Sequence, residues 1–207
     1  SVVGLEAVWY NTLLKYGFTD EEARAFLAGP GHFAWQWMQN LQSYGGPLPK
    51  SWIDSHVELG KKVIDRQLEL GMQPIQQGFS GYVPRELKNK YPDAKIQLQP
   101  SWCGFTGAAQ LDPTDPLFSA FGRDFLEEEK RLFGAHGVYA ADPFHESPPP
   151  VDTPEYLRAV GNSIYELFKN FDPSAMWVMQ AWSLREPIVK AVPKEHLLIL
   201  DLNGGRS

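Results

Sequence analysis

Apolar and polar positions alternate along this chain in two periods, one typical of amphipathic helices and the other of buried strands. The helical period covers residues 6–16, 49–70, 115–133 and 153–168. Short apolar runs that predict strands lie at residues 72–77, 96–101, 137–141, 175–182 and 196–202. Strands that alternate with helices in this way predict a parallel sheet with helices packed on its outside.

Several predicted helices carry clear end signals. Thr19 precedes three acidic residues, which predicts an N-cap with acids in the first turn. Ser51 is predicted to cap the helix over 49–70, and Gly71 to end it. Thr153 followed by Pro154 predicts an N-cap with proline at the first helical position.

The predicted strands end in polar or aromatic residues, namely Gln77, Ser101, His145 with Glu146, Trp182 and Asp201. This layout is typical of an α/β fold of the (β/α)8 TIM-barrel type, in which functional groups collect at the C-terminal strand ends. A doubly wound sheet is the alternative, but neither GxGxxG nor GxxxxGK[ST] occurs. A complete barrel needs eight strands and about 250 residues. The pattern predicts five strands, or six if residues 1–3 end another, and therefore an incomplete barrel.

Composition excludes some classes of protein and leaves others open. The net charge is −6, from 19 basic and 25 acidic residues, and no long basic cluster occurs, so nucleic acid is not an expected partner. No apolar run approaches the roughly 20 residues of a membrane span. The single cysteine, Cys103, excludes an internal disulfide framework and a multi-thiolate metal site. Residues 1–5 do not form a signal peptide, and the compartment stays unknown.

Aromatic residues are abundant, at 13% with seven Trp, and several stand beside Gly or Pro. Rings exposed in loops suit flat ligands such as sugars, and rings packed in a core would account for the same composition. The composition leaves both explanations open.

Glu146 is the first candidate for chemistry, within the stretch VYAADPFHESPPP. A carboxyl group at a strand end beside Phe144 would be partly buried, which favours the protonated form that a proton donor needs. The three prolines at 148–150 would stiffen the loop behind it. The alternative is an exposed glutamate in a surface turn.

The other polar residues give weaker indications of a function. His145 and Glu146 do not form a zinc HExxH motif, because Pro149 stands where the second histidine would be. The remaining histidines lack ligand spacing, so neither a metal nor a cofactor is predicted. Asp201 is interpreted as a cap of the following turn rather than as a functional carboxylate.

Five blocks, GPGHFAWQWMQNLQSYGGPLPKSW, GMQPIQQGFSGYVP, YAADPFHESPPP, WVMQAW and LLILDL, together resemble glycoside hydrolase family 89, the α-N-acetylglucosaminidases. The resemblance runs from Gly4 to Leu202 with the blocks in family order. The first and third blocks are specific in combination.

This resemblance implies a catalytic (β/α) barrel that removes terminal α-linked N-acetylglucosamine from glycans with retention of configuration. It places the general acid/base at Glu146 and substrate contacts at His145, Tyr44 and Trp182. Some family members carry Trp where this chain has Tyr44. A secreted, periplasmic or lysosomal location is what the resemblance implies.

One family feature falls outside this chain. The family's nucleophile is a second glutamate downstream of the LLxLDL strand, and a retaining glycosidase needs two carboxyl groups about 5–5.5 Å apart. We therefore expect residues 1–207 to be a partial catalytic barrel domain, without the small N-terminal domain, the final barrel strands and the C-terminal helical domain. In isolation it should be inactive. The alternatives are a catalytically silent carbohydrate-binding barrel, and a metal-dependent hydrolase with converging His and Asp ligands.

Overall fold

The computed structural model describes residues 3–202 and residue 204. Its α-helices are α1 (Leu5–Lys15), α2 (Asp20–Phe26), α3 (Phe33–Trp37), α4 (Lys50–Glu69), α5 (Leu87–Lys90), α6 (Pro116–Phe133), α7 (Pro154–Phe171) and α8 (Glu186–Val189). Its strands are β1 (Gln76–Gln77), β2 (Tyr82–Val83), β3 (Ile96–Leu98), β4 (Ala109–Leu111), β5 (Val138–Ala140), β6 (Met176–Gln180) and β7 (Leu197–Leu200). Of the further strand predicted at residues 1–3, residues 1 and 2 lie outside the described part, and Val3 lies in a turn.

The central sheet is parallel and has the strand order β1-β5-β6-β7. Tyr139 of β5 pairs with Trp177 of β6, and Val178 of β6 pairs with Leu198 of β7. Helix α7 connects β5 to β6, and α8 lies between β6 and β7. The predicted α/β architecture with helical crossovers is therefore confirmed, as an arc of parallel strands that does not close within the described residues.

The prediction of a parallel strand at residues 96–101 is wrong. Strand β3 lies in a separate antiparallel sheet with the order β2-β4-β3, inserted between β1 and α6. The connection from β3 to β4 contains no helix, and parallel neighbours need a long crossover whereas antiparallel neighbours need only a turn. The parallel sheet thus has four strands in the described part, instead of the five or six expected.

Local signals set most helix ends. Thr19 forms a capping box with Glu22: the Glu22 backbone N–H donates to Thr19 Oγ1 at 3.2 Å, and the Thr19 N–H donates to Glu22 Oε2 at 2.8 Å. Thr153 caps α7 as predicted. The prediction for Ser51 is wrong, because α4 begins at Lys50, with Pro49 at the N-cap and no side-chain cap.

An aromatic cluster fills the space between α1, α6 and the strands. The ring of Trp9 lies 4.8 Å from that of Phe125 and 5.4 Å from that of Tyr82, and Phe79 stacks on Phe121 at 5.2 Å. Trp9 and Trp177 are almost completely buried. Much of the aromatic content therefore belongs to the core, which was one of the two explanations of the composition. No helix of the described part combines the length and apolar character that crossing a membrane would take.

Candidate active site

Glu146 lies in the loop between β5 and α7, and its side chain is exposed. Its Oε2 accepts two hydrogen bonds, from Asn40 Nδ2 at 2.9 Å and from the indole Nε1 of Trp102 at 2.7 Å. The expectation of a partly buried carboxyl group beside Phe144 is wrong, because Glu146 is exposed whereas the Phe144 side chain is itself buried. A small pocket of about 50 Å³ opens at Glu146, lined by Gln39, Asn40, Gln99, Pro100, Ser101, Trp102, Glu146 and Ser147.

The end of α3 brings Asn40 to Glu146. The Asn40 N–H donates to the carbonyl of Trp35 at 3.0 Å, and the Gln39 N–H donates to that of Gln36 at 2.8 Å. These two bonds form a Schellman motif, which needs a left-handed residue just after the helix. Gln39 fills that position with φ 71°, where glycine is usual. The Asn40 side chain is thereby held in the interior, 7% exposed.

A tight turn brings Trp102 to the same carboxylate. Trp102 and Phe105 exchange both backbone hydrogen bonds, at 3.0 and 2.8 Å. The two residues between them, Cys103 and Gly104, have positive φ of 48° and 85°, which is the type I′ arrangement favoured in two-residue hairpins. The loop predicted after a barrel strand is therefore a hairpin turn of the β3–β4 connection.

Tyr44 is connected to the site by contacts between aromatic rings. Its ring, 48% exposed, makes an edge contact with Phe105 at 4.7 Å and with His32 at 4.5 Å. Phe105 stacks in turn on Trp102 at 6.4 Å. Tyr44, Phe105 and Trp102 thus form a continuous row of accessible rings that ends at Glu146.

His145 and Trp182 form a second side of the site. Their rings stack at 6.3 Å with an angle of 22°. His145 is buried, and its Nε2 has no hydrogen-bond partner among the described residues, whereas Trp182 is 55% exposed. His145 lines a narrow cavity of about 20 Å³ together with Asp142 and Arg185, separate from the pocket at Glu146.

Asp142 ties the ends of β5 and β6 together. Its Oδ1 accepts from the Gln180 backbone N–H at 2.7 Å, and its Oδ2 accepts from Gln180 Nε2 at 3.0 Å. Burial raises the pKa of Asp142, and these hydrogen bonds partly oppose that rise. Both residues also line an open cavity of about 390 Å³, together with residues of α3 and β1. The pair Asp142–Gln180 thus joins the YAADPFHE and WVMQAW blocks in space.

Left-handed backbone is concentrated at this site. The described non-glycine residues with positive φ are Gln39, Ser43, Cys103 and Phe144, at 71°, 62°, 48° and 57°. Each directly precedes or follows one of the side chains above, namely Asn40, Tyr44, Trp102 and His145. Such backbone costs roughly 1–3 kcal/mol per residue and tends to cluster at functional sites.

The structure brings Glu146 together with two residues that sequence reasoning did not select. Asn40 stands within the first of the five blocks, and Trp102 directly follows the strand predicted at residues 96–101. No local pattern pointed from either residue to a carboxylate partner. Asp201 accepts a hydrogen bond from the Gly204 N–H at 3.1 Å, which confirms its interpretation as a turn cap. Within residues 3–202 and 204, no three His, Cys, Asp or Glu side chains converge as metal ligands would.

Comparisons with known proteins agree with one another. The family model of the alpha-N-acetylglucosaminidase (NAGLU) tim-barrel domain matches residues 1–207. The chain is 34% identical over 214 residues to the Homo sapiens alpha-N-acetylglucosaminidase, covering 96% of this chain and 29% of that protein.

Solved structures are equally similar. A family 89 glycoside hydrolase from Clostridium perfringens, in complex with PUGNAc, has a TM-score of 0.91 and 34% identity, covering 98% of this chain and 24% of that one. A Clostridium perfringens variant with two glutamates changed to glutamine, in complex with its substrate GlcNAc-alpha-1,4-galactose, has a TM-score of 0.90 and 34% identity, covering 97% and 23%. The chain therefore spans less than a third of the length of these relatives.

Proposed function

This chain belongs to the alpha-N-acetylglucosaminidase family, glycoside hydrolase family 89, and we propose that it supplies the acid/base part of a retaining glycosidase site. The proposed reaction is hydrolysis of terminal α-linked N-acetylglucosamine from a glycan. The observation that carries it is Glu146, a carboxylate in the loop after β5 that is held through one oxygen at the mouth of a small pocket.

Glu146 would act twice. It first donates a proton to the glycosidic oxygen, while a nucleophilic carboxylate forms a bond to the anomeric carbon and the leaving sugar departs as an alcohol. It then removes a proton from the water that attacks the glycosyl–enzyme bond, which releases the sugar and restores both carboxyl groups. The exposure of Glu146 suits both steps, because leaving group and water reach it from solvent.

The nucleophile is proposed to lie outside residues 1–207. Among the described residues that line the pocket at Glu146, no second carboxylate is present. A retaining mechanism needs one about 5–5.5 Å away. We propose a downstream glutamate for this role, so that residues 1–207 form part of a larger catalytic barrel domain.

Tyr44, Trp182 and His145 are the proposed substrate contacts. The exposed rings of Tyr44 and Trp182 offer apolar faces to a sugar. His145 lies beneath Trp182 in the described arrangement, so its contact with the substrate would require the indole to move or the sugar to reach the imidazole edge.

Glu146→Gln in the full-length protein tests the proposal. Hydrolysis of GlcNAc-alpha-1,4-galactose, which has a poor leaving group, should fall about 10²–10⁴-fold, because general acid catalysis contributes about that much. A dinitrophenyl glycoside, whose leaving group needs no proton, should retain kcat/KM. Added azide should speed its turnover and give a glycosyl azide of retained configuration.

Glu166→Gln, at an exposed glutamate on α7, is the matched control and should leave both substrates unaffected. Unchanged hydrolysis of the disaccharide by Glu146→Gln would refute the acid/base role. Binding of the disaccharide without turnover by the unmodified full-length protein would instead support a silent carbohydrate-binding barrel.

A further inference from the structure

The geometry points to a positioning device for the proposed acid/base: Asn40 and Trp102 clamp Oε2 of Glu146, so that Oε1 alone carries the transferred proton. This inference rests on the function proposed for Glu146 and goes beyond it. Both hydrogen bonds, of 2.9 Å from Asn40 and 2.7 Å from Trp102, end on the same oxygen. No hydrogen bond to Oε1 is found among the described residues.

The chemistry of the two donors decides which oxygen binds the proton. An indole N–H can only donate, and the Asn40 amide faces Oε2 with its NH2 group. A carboxylate oxygen has two lone pairs, and here two donors occupy both. A proton on Oε2 would displace one donor, whereas a proton on Oε1 leaves both hydrogen bonds in place. Protonation therefore takes place at Oε1.

The orientation of the Asn40 amide follows from the same argument. Turned by half a rotation, it would place its carbonyl oxygen against Oε2, and two acceptors would repel each other whenever Glu146 is ionised. Asn40 is 7% exposed, so a donor or acceptor left without a partner there would cost free energy. Both hydrogen bonds of the clamp can therefore persist in the ionised and in the protonated form of Glu146, provided that the proton is on Oε1.

Both donors are held by backbone that has little freedom. Asn40 follows Gln39 in the Schellman motif, and the Gln39 side chain donates to Ser80 Oγ at 2.8 Å, which fastens this loop to the segment after β1. Trp102 is fixed by both hydrogen bonds of its type I′ turn. An exposed glutamate loses substantial rotamer freedom when it is fixed, and these two donors provide the restraint.

The consequence is that one atom serves both chemical steps. Oε1 releases its proton to the glycosidic oxygen and later receives one from water, and the carboxyl group does not rotate between the steps. Such preorganisation matters because proton transfer requires a correct distance and angle at the moment of reaction.

The test uses the full-length protein with Trp102→Phe, Asn40→Leu and the double variant. For each, kcat/KM is measured on GlcNAc-alpha-1,4-galactose and on the dinitrophenyl glycoside. We expect kcat/KM on the disaccharide to fall about 10-fold or more in each single variant, which is part of the loss expected when the general acid is removed altogether. On the activated glycoside, kcat/KM should change less than about 3-fold, because its leaving group needs no proton. A merely structural role would lower kcat/KM on both substrates by the same factor.

Two matched controls separate the clamp from general effects of these substitutions. Trp52→Phe removes an indole N–H that has no partner among the described residues. Asn11→Leu removes an amide that donates to another carboxylate, Glu128, at 2.7 Å. Both should leave the ratio of the two kcat/KM values unchanged. Thermal melting of every variant shows whether it is folded. Trp102→Phe removes the N–H donor and keeps an aromatic ring beside Phe105.

The outcomes separate a failure of this inference from a failure of the proposed function on which it rests. If Glu146→Gln abolishes disaccharide hydrolysis and the folded Trp102→Phe and Asn40→Leu variants keep the ratio of the unmodified protein, the clamp is wrong and the acid/base role stands. An equal loss on both substrates also overturns the clamp. If Glu146→Gln itself leaves disaccharide hydrolysis intact, the proposed function fails.

Discussion

The indole N–H of Trp102 donates to Oε2 of Glu146 at 2.7 Å across 44 residues of sequence. Trp102 belongs to the antiparallel insertion, and Glu146 follows a strand of the parallel sheet. The insertion after β1 therefore places one hairpin turn beside the loop that follows β5, and this turn contributes a hydrogen-bond donor to Glu146.

Tyr44→Ala should weaken substrate binding more than it slows chemistry. The Tyr44 ring is 48% exposed and lies against Phe105, at the end of the ring row that reaches Glu146. Loss of its face should raise KM for the disaccharide several-fold, since a ring stacked on a sugar contributes on the order of 1 kcal/mol. Steady-state kinetics of the full-length protein measures this.

Tyr44→Phe is the matched control and should keep KM within about twofold, because it retains the ring. A fall in kcat with unchanged KM in Tyr44→Ala would contradict a binding role.

Stability should depend on pH through Glu129. This side chain of α6 is buried, its Oε1 accepts from the Gln77 N–H at 3.3 Å, and burial raises its pKa to about 8. The unfolded chain ionises this carboxyl near its ordinary value of about 4.3, so the free energy of unfolding should decrease as pH rises from about 4 to 8, by up to a few kcal/mol. Below that window the neutral side chain has no such effect.

Glu129→Gln should remove this part of the pH dependence. Urea unfolding at pH 5 and pH 8 should show a smaller difference between the two pH values in the variant than in the unmodified protein. Glu127→Gln, at an exposed position of the same helix, should keep the full difference. An identical pH dependence in all three proteins would show that Glu129 ionises normally.

Thr19→Ala should destabilise the start of α2 by about 1 kcal/mol, the usual effect of losing an N-cap side chain. The substitution removes the oxygen that accepts from the Glu22 backbone N–H, whereas the backbone N–H of residue 19 can still donate to the Glu22 carboxylate. The urea midpoint measures the change. Thr106→Ala, at an exposed loop threonine, should have little effect, and equal loss in both variants would show that the capping box is not responsible.

Helix and strand positions were largely predictable because their signals are local. The period of α6 and α7, the caps at Thr19 and Thr153 and the glycine at residue 71, with φ 70°, all act within one or two turns of chain. The runs around β5 and β6 are apolar because both faces of a parallel sheet are covered there. The edge strand β7 is equally apolar, although most of its side chains are exposed in the described part. The prediction at residues 96–101 failed because pairing direction depends on the partner strand, which local pattern does not specify.

The sequence by itself determined the alternating α/β architecture, the position of Glu146 at a strand end and, by resemblance, the family. Only the tertiary structure decided what surrounds that carboxylate. Asn40 precedes Glu146 by 106 residues, and a Schellman motif and a type I′ turn must place Asn40 and Trp102 within 3 Å of one oxygen. Periodicity in the sequence indicates which side chains face the core, because burial repeats with the period of the helix or strand. A hydrogen bond between distant loops leaves no period, because crossovers and turns that bring the loops together are set by the packing of the whole sheet.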